Sequence, residues 1–127
     1  MYVTLATMEE AIRSAWCRET TDDPDEWSLE NPSRGQCGVT ALVVRDYLGG
    51  ELLMADVLPA DGGKVIERHC WNRLGSGVEI DLTREQFRNG ETLGEPFLQE
   101  PFVATGGVDR YVVLADLVRE RLTQRQS

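Results

Sequence analysis

The segment from Gly38 to Leu48 constrains the fold more than any other part of the chain. Its apolar residues Val39, Ala41, Leu42, Val43, Val44 and Leu48 span more than one helical stripe, which a helix sustains only when it is covered on most sides. Gly49-Gly50 supply a helix stop, and Cys37 stands at the helix start. A central helix of this kind needs other elements to cover it. Thr7-Met8-Glu9-Glu10 has the form of a capping box and predicts a helix to about Arg18, with Met8, Ala11, Ile12, Ala15 and Trp16 on one face. A last helix is predicted from near Asp109, with Tyr111, Leu114, Ala115, Val118 and Leu122 facing inward and a frayed tail from Thr123 to Ser127.

The stretches Glu51 to Leu58, Lys64 to Arg73 and Val78 to Thr83 read as strands, the last two joined by the hairpin signal Leu74-Gly75-Ser76-Gly77. A short helical segment follows near Arg84 to Arg88, and Asn89 to Gly107 reads as loop because Gly and Pro punctuate it. Thr20 to Arg34 is a second long loop, which Trp27 is expected to pin to the core. The prediction is a single α+β domain over residues 1–127, with helices on a small antiparallel sheet and Cys37 heading the central helix.

Charge and composition narrow the partners. With 13 Lys plus Arg against 22 Asp plus Glu the formal net charge is −9, and no block of cations is present to release counterions from a phosphate backbone, so nucleic acid is not an expected partner. No apolar run approaches the roughly 18 to 20 residues of a membrane helix, and the N-terminus lacks a basic region followed by a hydrophobic stretch; a soluble, cytoplasmic protein with no membrane association is expected. Cys17, Cys37 and Cys70 cannot all pair within one chain and are expected to be free thiols. A zinc site from these three and His69 is disfavoured, since no Cys-x-x-Cys is present and the adjacent His69 and Cys70 point to opposite faces of a strand. No metal and no cofactor are expected; Gly75-Ser76-Gly77 and Gly106-Gly107 carry no nucleotide fingerprint.

The chemistry concentrates on Cys37, His69 and Asp81. A helix start favours an anion and lowers a thiol's pKa toward the attacking thiolate. A cysteine nucleophile needs a base, usually an imidazole held in one tautomer by an acceptor. The chain has one histidine, so a Cys37 partner within the subunit is His69. A five-residue loop from Arg73 to Gly77 would set His69 opposite Asp81, whereas Asn72 is an odd number of positions from His69 and faces away. Asp81 is therefore the preferred orienting group. The Cys37 backbone N–H is one oxyanion donor and the Gln36 side chain a candidate second, while Gly35 shapes the approach and Trp71 walls the site.

Gly35-Gln36-Cys37 with Thr40-Ala41, Gly49-Gly50, His69-x-Trp71-Asn72, and Ile80-Asp81-Leu82-Thr83 with Gln86-Phe87 resemble the YunG-like family of uncharacterised bacterial proteins, from about Ala11 to Phe87. More distantly, a Cys at a helix start, H-x-W on one strand and D-x-T on the next resemble the transglutaminase-like branch of the papain-like cysteine enzymes. That resemblance implies a papain-like core with Cys37 as nucleophile, His69 as base and Asp81 as third residue.

The leading expectation is a thiol-dependent hydrolase or acyl transferase acting on an amide or thioester of a small molecule or peptide. The alternative is a non-catalytic module that binds a peptide or small ligand in the cleft near Trp71, marked by an occluded or unpaired Cys37. A third reading makes Cys37 an oxidant sensor. Beside these stand plain structural roles: an inert buried thiol at Cys37, a helix cap at Asp81, and packing for Trp16, Trp27 and Trp71.

Overall fold

A computed structural model describes residues 3–100 and 109–125. Helices α1 (Leu5–Ala15), α2 (Cys37–Leu48) and α3 (Arg110–Arg125) pack with a sheet of β1 (Glu51–Leu58), β2 (Glu67–Arg73), β3 (Glu79–Ile80), β4 (Thr92–Leu93) and β5 (Phe97–Gln99). The order is β3-β2-β1-β4, with β5 also on β1, and every pairing is antiparallel, so the fold is α+β.

The all-round apolar pattern of α2 follows from its place between two layers. Val39, Val43 and Val44 meet Met8, Ile12 and Trp16 on the α1 side and Leu114, Val118 and Leu122 of α3. Ala41 and Leu42 meet Leu52 of β1 and Cys70 of β2. Each large apolar side chain buried this way contributes about 1.5–3 kcal/mol. The helix stops where foreseen: Gly49 and Gly50 both take positive φ, and a Cβ on Gly50 would come within 2.4 Å of the Arg73 carbonyl oxygen.

The helix ends differ from the prediction in identifiable ways. Thr4, not Thr7, caps α1, its hydroxyl accepting from the Thr7 N–H at 3.1 Å. The helix stops at Ala15 because the next residues close a separate turn, with Cys17 N–H donating to Thr20 Oγ1 at 3.0 Å and Thr20 N–H to the Cys17 carbonyl at 3.1 Å. The expected stripe Met8, Ala11, Ile12, Ala15 and Trp16 is buried as a set. Asp109 caps α3 by accepting from the Tyr111 and Val112 N–H groups at 3.1 and 3.3 Å. That helix continues through Thr123 to Arg125 instead of fraying, and the last two positions lie outside the described residues.

In the sheet, β1 and β2 pair with Leu52 opposite Asn72, Met54 opposite Cys70 and Ala55 opposite His69. Side chains alternate between faces along a strand. Cys70 and Asn72 therefore share the face that meets α2, where the buried Asn72 donates to the Ala41 carbonyl at 2.9 Å. His69 and Trp71 share the other face with Leu53 and Ala55.

Two expectations about the sheet are corrected. Strand β3 is only Glu79–Ile80, and it pairs Asn72 with Ile80 and Arg73 with Glu79. Continued, that register sets Asp81 level with Trp71 rather than His69, because Leu74 N–H donates to the Val78 carbonyl at 2.8 Å and makes the hairpin loop shorter than the five residues assumed. A slip of two residues keeps Asp81 on the His69 face, from which it reaches diagonally. Residues 92–99 are not loop: Leu93 pairs with Val57, Gly94 N–H donates to the Asp56 carbonyl at 2.9 Å, and Phe97 pairs with Met54. One extra residue between the two pairings makes a bulge around Gly94 to Pro96, where Pro has no N–H to give the ladder. Positions 101–107 of the predicted loop lie outside the described residues.

Candidate functional site: a thiol cleft and a His-Asp pair

The loop before α2 is held by side chains whose partners the sequence did not reveal. Arg34 grips Glu67 at the start of β2 through two hydrogen bonds, of 3.1 and 2.7 Å, and also donates to Asp23 at 3.0 Å. Gly35 takes φ +71°, and its N–H donates to the buried Gln86 side chain at 3.1 Å. These ties leave a cleft of about 280 Å³ lined by Cys37 and Gly35 together with Asp22, Asp23, Arg34, Glu67, Arg68 and Gln86. The signal for Glu67 was legible, as it lies two residues before His69 and hence on the same side of β2; for Gln86 there was none, since its role depends on a contact across 51 positions.

Cys37 begins α2, as the sequence predicts, and is half-buried. Its thiol is pushed up to about 12, first by burial and then by the negative charges of Asp22, Glu67 and Asp81, although a hydrogen bond from the Cys70 backbone works in the other direction. A helix start contributes about 0.3–1 kcal/mol toward an anion, too little to offset that burial. Cys37 therefore rests as the neutral thiol.

His69 is fully buried, and its Nε2 meets Asp81 Oδ2 at 2.7 Å. Asp81 also accepts from the Thr83 N–H at 3.3 Å and lies 3.4 Å from Arg84 Nε, so it holds the following turn as well as the imidazole. Trp71 stacks on the His69 ring at 5.6 Å and Phe87 meets it edge-on at 4.9 Å. In the tautomer that places a proton on Nε2 toward the carboxylate, Nδ1 carries the lone pair. Nδ1 is buried and has no hydrogen-bond partner among the described residues.

The structure thus joins His69 to Asp81 but does not complete a triad. No hydrogen bond links Cys37 to His69; Cys37 packs with the cluster that contains Cys70, on the α2 side of the sheet, while His69 belongs to the opposite face of β2. Gln36 is fully buried and donates to the Cys17 carbonyl at 3.1 Å, behind the cleft rather than in its wall. Trp71 is buried against His69 and donates to Glu79 at 2.7 Å, and it too stays out of the cleft wall. Gly35 is in that wall, as expected of a residue shaping the approach. Among the described residues no group of three or more His, Cys, Asp or Glu side chains is arranged to hold a metal ion, and no described helix is long and apolar enough to cross a membrane.

An α+β domain with a cysteine at the head of its central helix and a hydrogen bond from the buried His69 of β2 to the half-buried Asp81 just after β3 is the class that these features define. The chain matches the model of the YunG protein family over residues 4–123 and belongs to that family. It is 36% identical over 77 residues to a Bacillus subtilis (strain 168) protein described as "Uncharacterized protein YunG", an alignment that takes in 61% of this chain and 57% of that protein's length. No solved structure matches the chain.

Proposed function

We propose that the protein is a thiol-dependent hydrolase or acyl transferase acting on an amide or thioester of a peptide or small molecule, with Cys37 as nucleophile, His69 as base and Asp81 as the group that orients it. The observation that carries this reading is the His69 to Asp81 hydrogen bond of 2.7 Å together with the unpartnered, buried Nδ1. A buried imidazole nitrogen without a partner costs stability, about 1–3 kcal/mol for such a group, and an oriented base awaiting a proton explains why it is tolerated. The papain-like comparison belongs to the same proposal and supports it by the order Cys37, His69, Asp81 along the chain.

In this reading the thiol rests neutral. Cys37 packs on the α2 side of β2 and His69 on its other face. The reaction therefore requires a rearrangement of the head of α2 against β2 that brings Cys37 Sγ to His69 Nδ1, which then takes the proton as sulfur attacks the carbonyl. The Cys37 N–H at the helix start is the oxyanion donor. Water or an amine then releases the acyl group. The test is trapping with an activated acetyl ester followed by peptide mapping. An acetyl group on Cys37 that forms at least tenfold more slowly in His69→Ala supports the proposal; equal rates in the two proteins overturn it.

One observation favours a second reading, a non-catalytic peptide or small-ligand module. Cys37 has no hydrogen bond to His69, and burial holds its thiol at about 12. Under that reading Cys37 stays unacylated, and the His69 to Asp81 pair is a structural staple of β2 to the turn at Arg84–Gln86.

A further inference from the structure

Cys70 was foreseen as a free thiol facing away from His69, and it belongs to the cluster on the α2 side of the sheet against which Cys37 packs. Three observations bear on the pair. Cys70 is buried in the small cluster formed by Ala41, Leu42 and Leu52, and Cys37 packs against that cluster. The Cys37 thiol is near enough to the Cys70 main chain and thiol for each cysteine to bear on the other's ionisation. Cys37 alone of the two opens onto the cleft, so one thiol meets solutes and the other waits behind it. Cys17 lies in the turn after α1 and belongs to neither the cluster nor the cleft wall.

We infer that Cys37 and Cys70 form a reversible intramolecular disulfide, in which a hydroperoxide oxidises Cys37 and Cys70 resolves the product. The Cys37 thiolate attacks one peroxide oxygen, the O–O bond breaks, and hydroxide leaves to give the Cys37 sulfenic acid. The Cys70 thiolate then attacks the Cys37 sulfur, the S–O bond breaks, and the departing hydroxide takes up the proton that Cys70 lost. With hydrogen peroxide, two thiols and one peroxide give one disulfide and two waters. The bridge would link the head of α2 to β2, close the thiol side of the cleft and protect Cys37 from sulfinic acid. Both thiols are held largely protonated, so oxidation is slow at neutral pH and accelerates as the solution becomes alkaline. The inference stands whether or not Cys37 carries acyl groups.

The test is oxidation of the reduced protein with hydrogen peroxide at mildly alkaline pH, blocking with N-ethylmaleimide, and mass spectrometry of a non-reducing digest. The expected result is a peptide pair linked through Cys37 and Cys70, reversed by dithiothreitol, with Cys17 recovered as its maleimide adduct. This measurement is made on the wild type and so does not depend on a variant folding. In Cys70→Ser, checked for native circular dichroism, sulfinic and sulfonic acid at Cys37 should rise severalfold. Absence of the linked pair while Cys37 is oxidised, or pairing of Cys37 with Cys17 or with another molecule, overturns the inference. Acyl trapping on reduced protein reports the enzymatic reading separately.

Discussion

Gly35→Ala should destabilise the protein by about 2–5 kcal/mol, the sum of two costs that the structure separates. The first is backbone: Gly35 sits at φ +71°, where an L side chain costs about 1–2 kcal/mol. The second is steric, because the new Cβ would lie 2.2 Å from Thr21 Oγ1, 2.7 Å from Asp22 Oδ1 and 3.0 Å from the Asp23 nitrogen. Thr21 cannot give way cheaply, since it is buried, donates to the Arg34 carbonyl at 2.7 Å and accepts from the Asp23 N–H at 3.0 Å. Overpacking a site of this kind costs about 1–3 kcal/mol. Urea unfolding of wild type, Gly35→Ala and Gly62→Ala measures both parts. Gly62 has φ +77° with nothing within 4 Å of an added Cβ, so its variant carries the backbone cost alone. A Gly35→Ala loss under about 0.5 kcal/mol, or one equal to that of Gly62→Ala, would refute the close approach of the Thr21 to Asp23 loop to the helix start.

Asn72→Ala should lose about 1–3 kcal/mol through the missing hydrogen bond to the Ala41 carbonyl and the space left behind; a change within about 0.5 kcal/mol in urea unfolding would remove Asn72 as a tie between β2 and α2. Alkaline pH should destabilise the fold. Cys37 and Cys70 are both raised from 9.0 to about 12, so the folded state keeps two protons that the unfolded state gives up earlier. Their contribution is whole below 9.0 and is lost as pH rises from there toward 12, and Cys70→Ala should flatten the decline in the urea midpoint over that window. A midpoint that falls equally steeply in wild type and variant would contradict the buried neutral thiols.

What the sequence made legible was whatever local chemistry determines. Gly49-Gly50 closed α2, the i, i+3, i+4 spacing of Met8, Ala11, Ile12 and Ala15 gave the buried face of α1, and strand alternation separated His69 from Cys70. The Thr7 capping box misled because Thr4 offered the same hydroxyl one turn earlier. The bulged edge strand at 92–99 was hidden by Gly94 and Pro96, which mark loops and bulges alike. Within the candidate site, the His69 to Asp81 pair was legible because a two-residue change of register preserves the face. The surroundings of Cys37 were not, since the helix-start argument weighed the dipole without the burial and the carboxylates of Asp22, Glu67 and Asp81, which sequence spacing does not reveal.

The most direct test of a neutral Cys37 activated by His69 is the pH dependence of its acetylation by an activated ester, read at the Cys37 peptide. In wild type the account predicts a rate that levels off well below the thiol's own range near 12, because the base and not the thiolate limits the reaction. In His69→Ala the rate should climb about tenfold per pH unit toward that range, as for an unassisted thiol. Parallel tenfold climbs in both proteins would contradict the claim and leave the His69 to Asp81 pair a structural one.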